Sequence, residues 1–316
     1  CEEVHGISNL SIMARENKMA RGKNINMFLM DNTPTGRIKC TLANWIGIAY
    51  KIPRTSLEKC KNRVDLNQSG IYFLFGESAE TEKPIVYIGQ ASNRKNGNGI
   101  LHRLLEHRKK SDNDYWNEAV IFTTANNSLG ATEINFLENK FCNLAIGAHR
   151  YEIKNGNEPP QGNITEEKEC ELEEFSENAR IIMGVLGHKI FEPLSKTSLE
   201  RLDNASAEEP EDVIFHLSRT IKKLGKTITA TAKQTAEGFV VLQGSQVAPE
   251  EDTTISAAIS KRRKSARITD GVLLEDMLFH SPSTAANFLI GQNTNGRIYW
   301  RTKNGVTLND YEENRA

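Results

Sequence analysis

Long apolar runs and clustered cysteines are both missing from this chain of 316 residues. No apolar stretch approaches the roughly 18–20 residues that a bilayer span requires, so no membrane partner is expected. The five cysteines are scattered, with no CxxC pair and no Cys/His cluster at zinc spacing, which argues against a zinc site. A reducing cytoplasm is therefore the expected location. The first residues lack the pattern of a secretory signal, and Met19 is a more natural beginning than Cys1, so we interpret residues 1–18 as an extension.

A strong charge of either sign is also missing. Lysine and arginine number 40 against 41 aspartates and glutamates, a formal net charge of −1, which excludes a uniformly basic nucleic-acid binder. Any contact with DNA then has to come from local basic patches, although most charge runs are simply solvated surface. Two such patches occur in the sequence: Arg103, His107, Arg108, Lys109 and Lys110 in one, and Lys261, Arg262, Arg263, Lys264 and Arg267 in the other. A Walker A or GxGxxG sequence in a strand-to-helix context is absent, which argues against a nucleotide-binding enzyme of those types.

The residues that are present indicate an α+β protein. Runs rich in β-branched and aromatic residues at 71–75 and 85–88 predict a hairpin, and residues 116–124 a third strand. Helical spacing of apolar residues at 99–110 and 129–146 completes the order β-β-α-β-α. A C-terminal α+β region follows, with strands at 238–242 and 297–300 and a further core candidate at 272–279. The predicted divisions are an N-terminal extension at 1–25, a β-rich lead-in at 26–68, a module with a closing helix at 69–194, a linker at 195–212 and an accessory domain at 213–316.

Polar residues that could take part in catalysis lie on these predicted elements, at spacings that place them on shared faces. Tyr72 and Tyr87 fall on the two hairpin strands, where cross-strand neighbours share a face. Arg103 and His107 are four residues apart on a helix and hence on one side of it. Glu138 lies at the rim of an apolar helical stripe, where a carboxylate is anchored yet reachable. Each residue alone is ordinarily packing or surface, but together they form a candidate site within one module.

These residues also resemble the signature of the GIY-YIG nuclease family. Gly70-Ile71-Tyr72 and Tyr87-Ile88-Gly89 are similar to its two tripeptides, Arg103 and His107 to its helical arginine and histidine, and Glu138-Asn139, in preference to Glu133, to its metal-binding glutamate. The resemblance covers residues 69–157, under a third of the chain. It implies a small antiparallel three-stranded sheet flanked by helices, and a hydrolase that cuts DNA as an endonuclease with Mg²⁺ or Mn²⁺ at Glu138.

The resemblance further implies a division of roles that the chemistry permits. Tyr72 would act as the base that activates water, with Tyr87 and His107 in support. Arg103 would hold a phosphate oxygen through its fork of donors, and a Mg²⁺ ion that keeps its waters needs only one carboxylate such as Glu138. The family's asparagine after the glutamate helix has no direct counterpart, and Asn155 and Asn157 both remain candidates. The alternative is a catalytically weak DNA-binding or scaffold protein that retains the nuclease fold.

The C-terminal half resembles an uncharacterised domain found appended to such nucleases. The similarity lies in residues 238–245, in the serine-rich stretch 281–286 and in the segment before Tyr299-Trp300. Ser281 or Ser283 is most simply the N-cap of a helix. The second reading is a helix N-terminus presented to phosphate beside Lys261, Arg262, Arg263 and Lys264, which we predict as DNA-contacting residues. Protein partners are not indicated by any motif.

Overall fold

A computed structural model describes residues 22–78, 84–92, 99–109, 115–156, 163–194, 213–221 and 225–314. The predicted N-terminal extension up to residue 21 and the linker at 195–212 lie outside these ranges. So do the basic-patch residue Lys110 and the candidate asparagine Asn157. Along the described chain, no helix is both long and apolar enough to cross a membrane.

The N-terminal part forms a seven-stranded mixed sheet. Its strands are β1 (Ile25–Leu29), β2 (Ile38–Leu42), β3 (Gly47–Pro53), β4 (Gly70–Glu77), β5 (Pro84–Ala91), β6 (Trp116–Thr124) and β7 (Glu152–Ile153), in the order β1-β2-β3-β6-β4-β5-β7. The helices are α1 (Ile100–Lys109), α2 (Ala131–Ala148) and α3 (Glu166–Val185), with two short 3₁₀ helices at Arg54–Cys60 and Val64–Asn67. β4, β5, α1, β6 and α2 follow one another in the predicted order β-β-α-β-α.

The predicted three-stranded sheet is too small. The lead-in does not stand apart, because β3 pairs antiparallel with the outer edge of β6 from Gly47–Thr124 to Pro53–Glu118. On the other side, β7 adds a short parallel pairing to β5. An unpaired edge of a long apolar strand is costly and prone to aggregation, and the lead-in covers it. The antiparallel group β6-β4-β5 is therefore the centre of a larger sheet.

Strand alternation divides the core of this sheet into two layers. Ile71, Phe73 and Phe75 of β4 face one side and pack with α2 and α3. Tyr72 and Leu74 face the other side, where they pack with α1 and the 3₁₀ helices. Both faces of β4 are buried, since successive side chains of a strand point in opposite directions and each side is covered.

The C-terminal part has a separate hydrophobic core around a five-stranded antiparallel sheet. Its strands are β8 (Ile214–Ile221), β9 (Lys226–Thr235), β10 (Gly238–Val241), β13 (Met277–Phe279) and β14 (Arg301–Thr302), and β11 (Ile268–Thr269) and β12 (Val272–Leu273) form a small ribbon. The helices are α4 (Ala257–Ser265), α5 (Pro282–Ile290), α6 (Gly296–Tyr299) and α7 (Leu308–Glu313). Arg150 of the N-terminal part forms an ion pair with Glu237 of the C-terminal part. Its two terminal nitrogens lie 2.8 and 2.7 Å from the Glu237 carboxylate oxygens.

One C-terminal prediction needs correction and one is confirmed. The stretch 297–300 is not a strand, because the Asn295 side chain caps the short helix α6 by accepting from the Arg297 N–H. The core candidate 272–279 carries the two short strands β12 and β13. Ser281 is an N-cap as expected, since its hydroxyl accepts a hydrogen bond from the Thr284 N–H at 3.1 Å.

We expect Gly70→Ala to destabilise the fold by about 2 kcal/mol, because an added Cβ would lie 2.2 Å from the Phe122 carbonyl oxygen and backbone has to move. The control is Gly147→Ala in α2, where no described atom lies within 4 Å of the added carbon and alanine gains up to about 1 kcal/mol in a helix. Urea unfolding measures both. Equal effects of the two substitutions would contradict the packing described.

Candidate functional site

Tyr72 and Tyr87 lie on the same face of the sheet, on neighbouring strands. Tyr72 is paired directly with Gly89, not with Tyr87, so the two tyrosines are diagonal neighbours with ring centroids 6.2 Å apart. A Cβ at Gly89 would lie 2.5 Å from the Tyr72 hydroxyl oxygen. Glycine is required at position 89 because the Tyr72 ring lies against its Cα and leaves no room for a side chain.

His107 of α1 closes over the tyrosines. Its Nε2 lies 2.8 Å from the Tyr72 hydroxyl, and its ring centroid is 5.5 Å from that of Tyr72 and 5.2 Å from that of Tyr87. Tyr72 is fully buried and His107 is 5% exposed. Burial raises the pKa of Tyr72 far above its usual value, and the neighbouring Tyr87 adds to this. Tyr72 is therefore a neutral phenol at physiological pH.

Arg103 lies one helical turn before His107, at the surface of the same group. Its side chain is 35% exposed, and its Nη1 lies 2.9 Å from the Glu106 carboxylate. Burial alone would lower the pKa of Arg103, but hydrogen bonding to Glu106 and the proximity of Tyr72 raise it above its usual range. The positively charged guanidinium of Arg103 therefore lies beside the buried Tyr72.

Glu138 of α2 approaches from the other face of the sheet. Its Oε2 accepts a hydrogen bond from the Gln90 amide at 2.9 Å, and Gln90 also donates to Asn135. Burial raises the pKa of Glu138, while Gln90 and Arg103 counter this. Burial raises the pKa of Tyr87, and the charge of Glu138 adds to this across the sheet.

Glu133, the weaker candidate for the metal-binding glutamate, lies elsewhere. It stands in the first turn of α2, and its Oε2 is 2.6 Å from the position of a Cβ built on Gly130. A carboxylate there interacts with the free N–H groups of the helix start. The structure thus places Glu138, and not Glu133, beside Gln90 and Arg103.

Asn155 has a defined place at the edge of β5. β7 pairs with β5 only at Ile85 and Val86, and the Asn155 side chain then continues the pairing. Its Oδ1 accepts from the Ile88 N–H at 3.0 Å, and its Nδ2 donates to the Ile88 carbonyl at 2.7 Å. Asn155 therefore holds the strand that carries Tyr87.

An open cleft of about 370 Å³ lies beside Arg103, and its lining does not include Tyr72, Tyr87, His107 or Glu138. Its polar lining comes from the end of β5, from α1 and from α2: Gln90, Ser92, His102, Arg103, Glu106 and Asn135. Sequence reasoning missed Gln90, Asn135 and Glu106 as site residues. A signal existed, because Asn135 is three residues before Glu138, Glu106 is three after Arg103, and such residues are neighbours on a helix.

The structure divides the predicted basic cluster of the C-terminal part. Arg263 is 8% exposed and bonds inward to Glu251 and to the carbonyls of Ala248 and Phe288. Arg262 stacks on Phe279, with its guanidinium carbon 4.2 Å from the ring centroid. Lys261 and Lys264 are exposed. The two arginines therefore hold α4 against the rest of the C-terminal part, while the two lysines are exposed.

A comparison with known protein families identifies a domain in the C-terminal part. Residues 220–312 match the family model of the domain of unknown function DUF4357. This region is a DUF4357 domain. The prediction that an uncharacterised domain occupies the C-terminal half is thereby confirmed. No curated protein and no solved structure matches the chain, so the resemblance of residues 69–157 to the GIY-YIG family stays a prediction.

We expect Glu138→Gln to raise the melting temperature at pH 7. A carboxyl whose pKa is raised by folding contributes stability that is present at low pH and is lost as the pH rises through the folded-state pKa. The amide keeps an acceptor for Gln90 and never ionises, so its advantage should vanish below about pH 4, where the wild-type carboxyl is protonated. Melting curves from pH 4 to 8 measure this, with Glu177→Gln on the exposed side of α3 as control. A variant less stable than wild type at pH 7 would show that the buried charge is favourable.

Proposed function

We propose that this protein is a metal-dependent endonuclease that hydrolyses DNA phosphodiester bonds at the end of β5. The observation that carries the proposal is the buried Tyr72–His107 hydrogen bond, with Arg103 and Glu138 near enough to shift the pKa of Tyr72 and with Arg103 also lining the open cleft. The resemblance of residues 69–157 to the GIY-YIG family supports the same reaction. An arrangement kept only for packing would not need a charged arginine and a half-buried carboxylate beside a buried phenol.

Arg103 is the residue that binds the scissile phosphate. It lines the cleft, it is partly exposed, and a guanidinium presents a planar fork that matches phosphate oxygens. Because charge builds up on the phosphate oxygens as water attacks, a fixed cation there favours the transition state over the bound substrate.

Tyr72 and His107 move the proton. Water attacks phosphorus, the bond to the 3′ oxygen breaks, and the proton of the attacking water has to leave. Because Tyr72 is fully buried, substrate binding has to bring the attacking water to it from the cleft; its neutral hydroxyl then accepts that proton while passing its own to the Nε2 of His107, 2.8 Å away. Tyr72 retains the predicted base role, but as a relay to His107, and the half-buried Tyr87 orients the water.

Glu138 is the residue that would hold Mg²⁺ or Mn²⁺. It is a hard oxygen ligand held in place by Gln90, and Mg²⁺ commonly keeps several waters and takes its remaining ligands from substrate phosphate. When bound, the ion would supply neutralisation of the phosphate and of the departing 3′ oxygen. The donor set fits an ion held mostly by water and substrate.

A second candidate function is a DNA-binding or scaffold protein of weak activity. One observation favours it: among the described residues, no group of three or more His, Cys, Asp or Glu is placed to hold a metal. A site with a single carboxylate depends on the substrate to complete it, whereas a scaffold needs no metal at all. The nicking experiment below distinguishes the two.

The DUF4357 domain is the source of further DNA contacts in this proposal. With a net charge of −1, the chain attracts DNA only locally. Lys261 and Lys264 on α4 are exposed. They would contact phosphates and position the duplex without reading its sequence.

We expect purified protein to nick supercoiled plasmid with Mg²⁺ and to lose this activity in EDTA. Arg103→Ala and Glu138→Ala should each lower the rate by about 10²-fold or more, since each removes a charge that acts in the transition state. The controls are Arg180→Ala and Glu177→Ala on α3, outside the cleft. No metal-dependent nicking across plasmid, linear and branched DNA would favour the scaffold function instead.

A further inference from the structure

Glu106 belongs to the cleft's polar lining, and it contacts the side chains of both Arg103 and His102 on α1. Its Oε2 lies 2.9 Å from Nη1 of Arg103, and its Oε1 lies 3.2 Å from Nδ1 of His102. The proposed reaction uses neither oxygen. A carboxylate beside the phosphate-binding arginine requires an explanation, because it repels the substrate.

The pair between Arg103 and Glu106 is of a kind that substrate can displace. The two residues are three apart on one helix, with side chains 35% and 33% exposed, and exposed ion pairs of this spacing are weak. A phosphate oxygen seeks the same donors of the guanidinium that the carboxylate occupies. Glu106 and the substrate therefore compete for the same N–H donors of the Arg103 guanidinium.

We propose that Glu106 is a specificity-determining residue that competes for Arg103 and so admits a singly charged phosphodiester while disfavouring a doubly charged terminal phosphate. This inference rests on the proposed function, because it assigns the substrate class of the same cleft. The Coulomb energy between Glu106 and a bound phosphate scales with the phosphate charge. A terminal phosphomonoester at neutral pH thus meets about twice the repulsion that an internal diester meets.

The test substitutes Glu106→Gln, which keeps the shape of the side chain and an oxygen that accepts from Arg103. Binding is measured in EDTA by following the Arg103 guanidinium in an NMR titration, with dithymidine monophosphate as the diester and thymidine 3′-phosphate as the monoester. We expect the variant to bind the diester roughly 3-fold and the monoester roughly 10-fold more tightly than wild type, as expected for a partly screened charge at the cleft.

A matched control is Glu58→Gln, because Glu58 pairs with Arg108 of the same helix and does not line the cleft. This control should change neither affinity. If Glu106→Gln leaves both affinities within about twofold of wild type, or tightens the diester more than the monoester, the assignment of Glu106 is overturned.

The same variant separates this inference from the proposed function. Affinities that shift as expected in a protein that never nicks plasmid would support the competition at Arg103 and overturn the nuclease proposal. Nicking that depends on Arg103 and Glu138, together with unchanged affinities in Glu106→Gln, would support the nuclease and overturn the role of Glu106.

Discussion

The buried hydrogen bond between the Tyr72 hydroxyl and His107 is the constraint on which the rest of the site depends. A phenol with no exposed surface has to find a partner for its hydroxyl, since an unmade hydrogen bond in the core is costly. The bond to His107 holds α1 against β4 and β5. Ile100, Leu101 and Leu104 of the same helix pack into the core beside Tyr72. The same constraint brings Arg103 to the cleft, because it lies one turn away on the helix. It also requires glycine at position 89, where the ring crosses the neighbouring strand.

A second constraint on the site is the point where the outer edge of β5 loses its strand partner. β7 covers only the first part of its outer edge, and the Asn155 side chain completes that cover at Ile88. Gln90 lies beyond this point on the α2 side, and Tyr87 lies on the α1 side. Residues from opposite faces of a sheet are ordinarily separated by the sheet itself. Here Glu138 and Arg103 are still near enough for the Arg103 charge to counter the rise in the pKa of Glu138 that burial causes.

The local periodicities predicted much of this arrangement, and the long-range pairing could not be predicted. Alternation along the strands indicated that Tyr72 and Tyr87 share a face, and helical spacing placed Arg103 and His107 together. The sequence did not show that the lead-in strands extend the sheet, because strand pairing depends on edges that no local pattern records. It also missed Gln90, whose partners Asn135 and Glu138 are brought to it by tertiary packing, whereas the pairing of Glu106 with Arg103 follows helical spacing. Charge alone suggested that Arg262 and Arg263 contact DNA, although both are turned into the DUF4357 domain, because long cationic side chains also bury their stems and stack on aromatic rings.

The central claim is that the Tyr72 hydroxyl takes part in chemistry and does not merely fill the core. The direct measurement compares the single-turnover cleavage rate of Tyr72→Phe with that of Tyr50→Phe, because Tyr50 is an equally buried phenol whose hydroxyl bonds to Asp65, outside the cleft. Each substitution should cost stability by about 1 kcal/mol, and DNA affinity in EDTA should stay unchanged in both. The account predicts that only Tyr72→Phe lowers the cleavage rate, by about 10²-fold or more. Cleavage by Tyr72→Phe at the rate of Tyr50→Phe would contradict it.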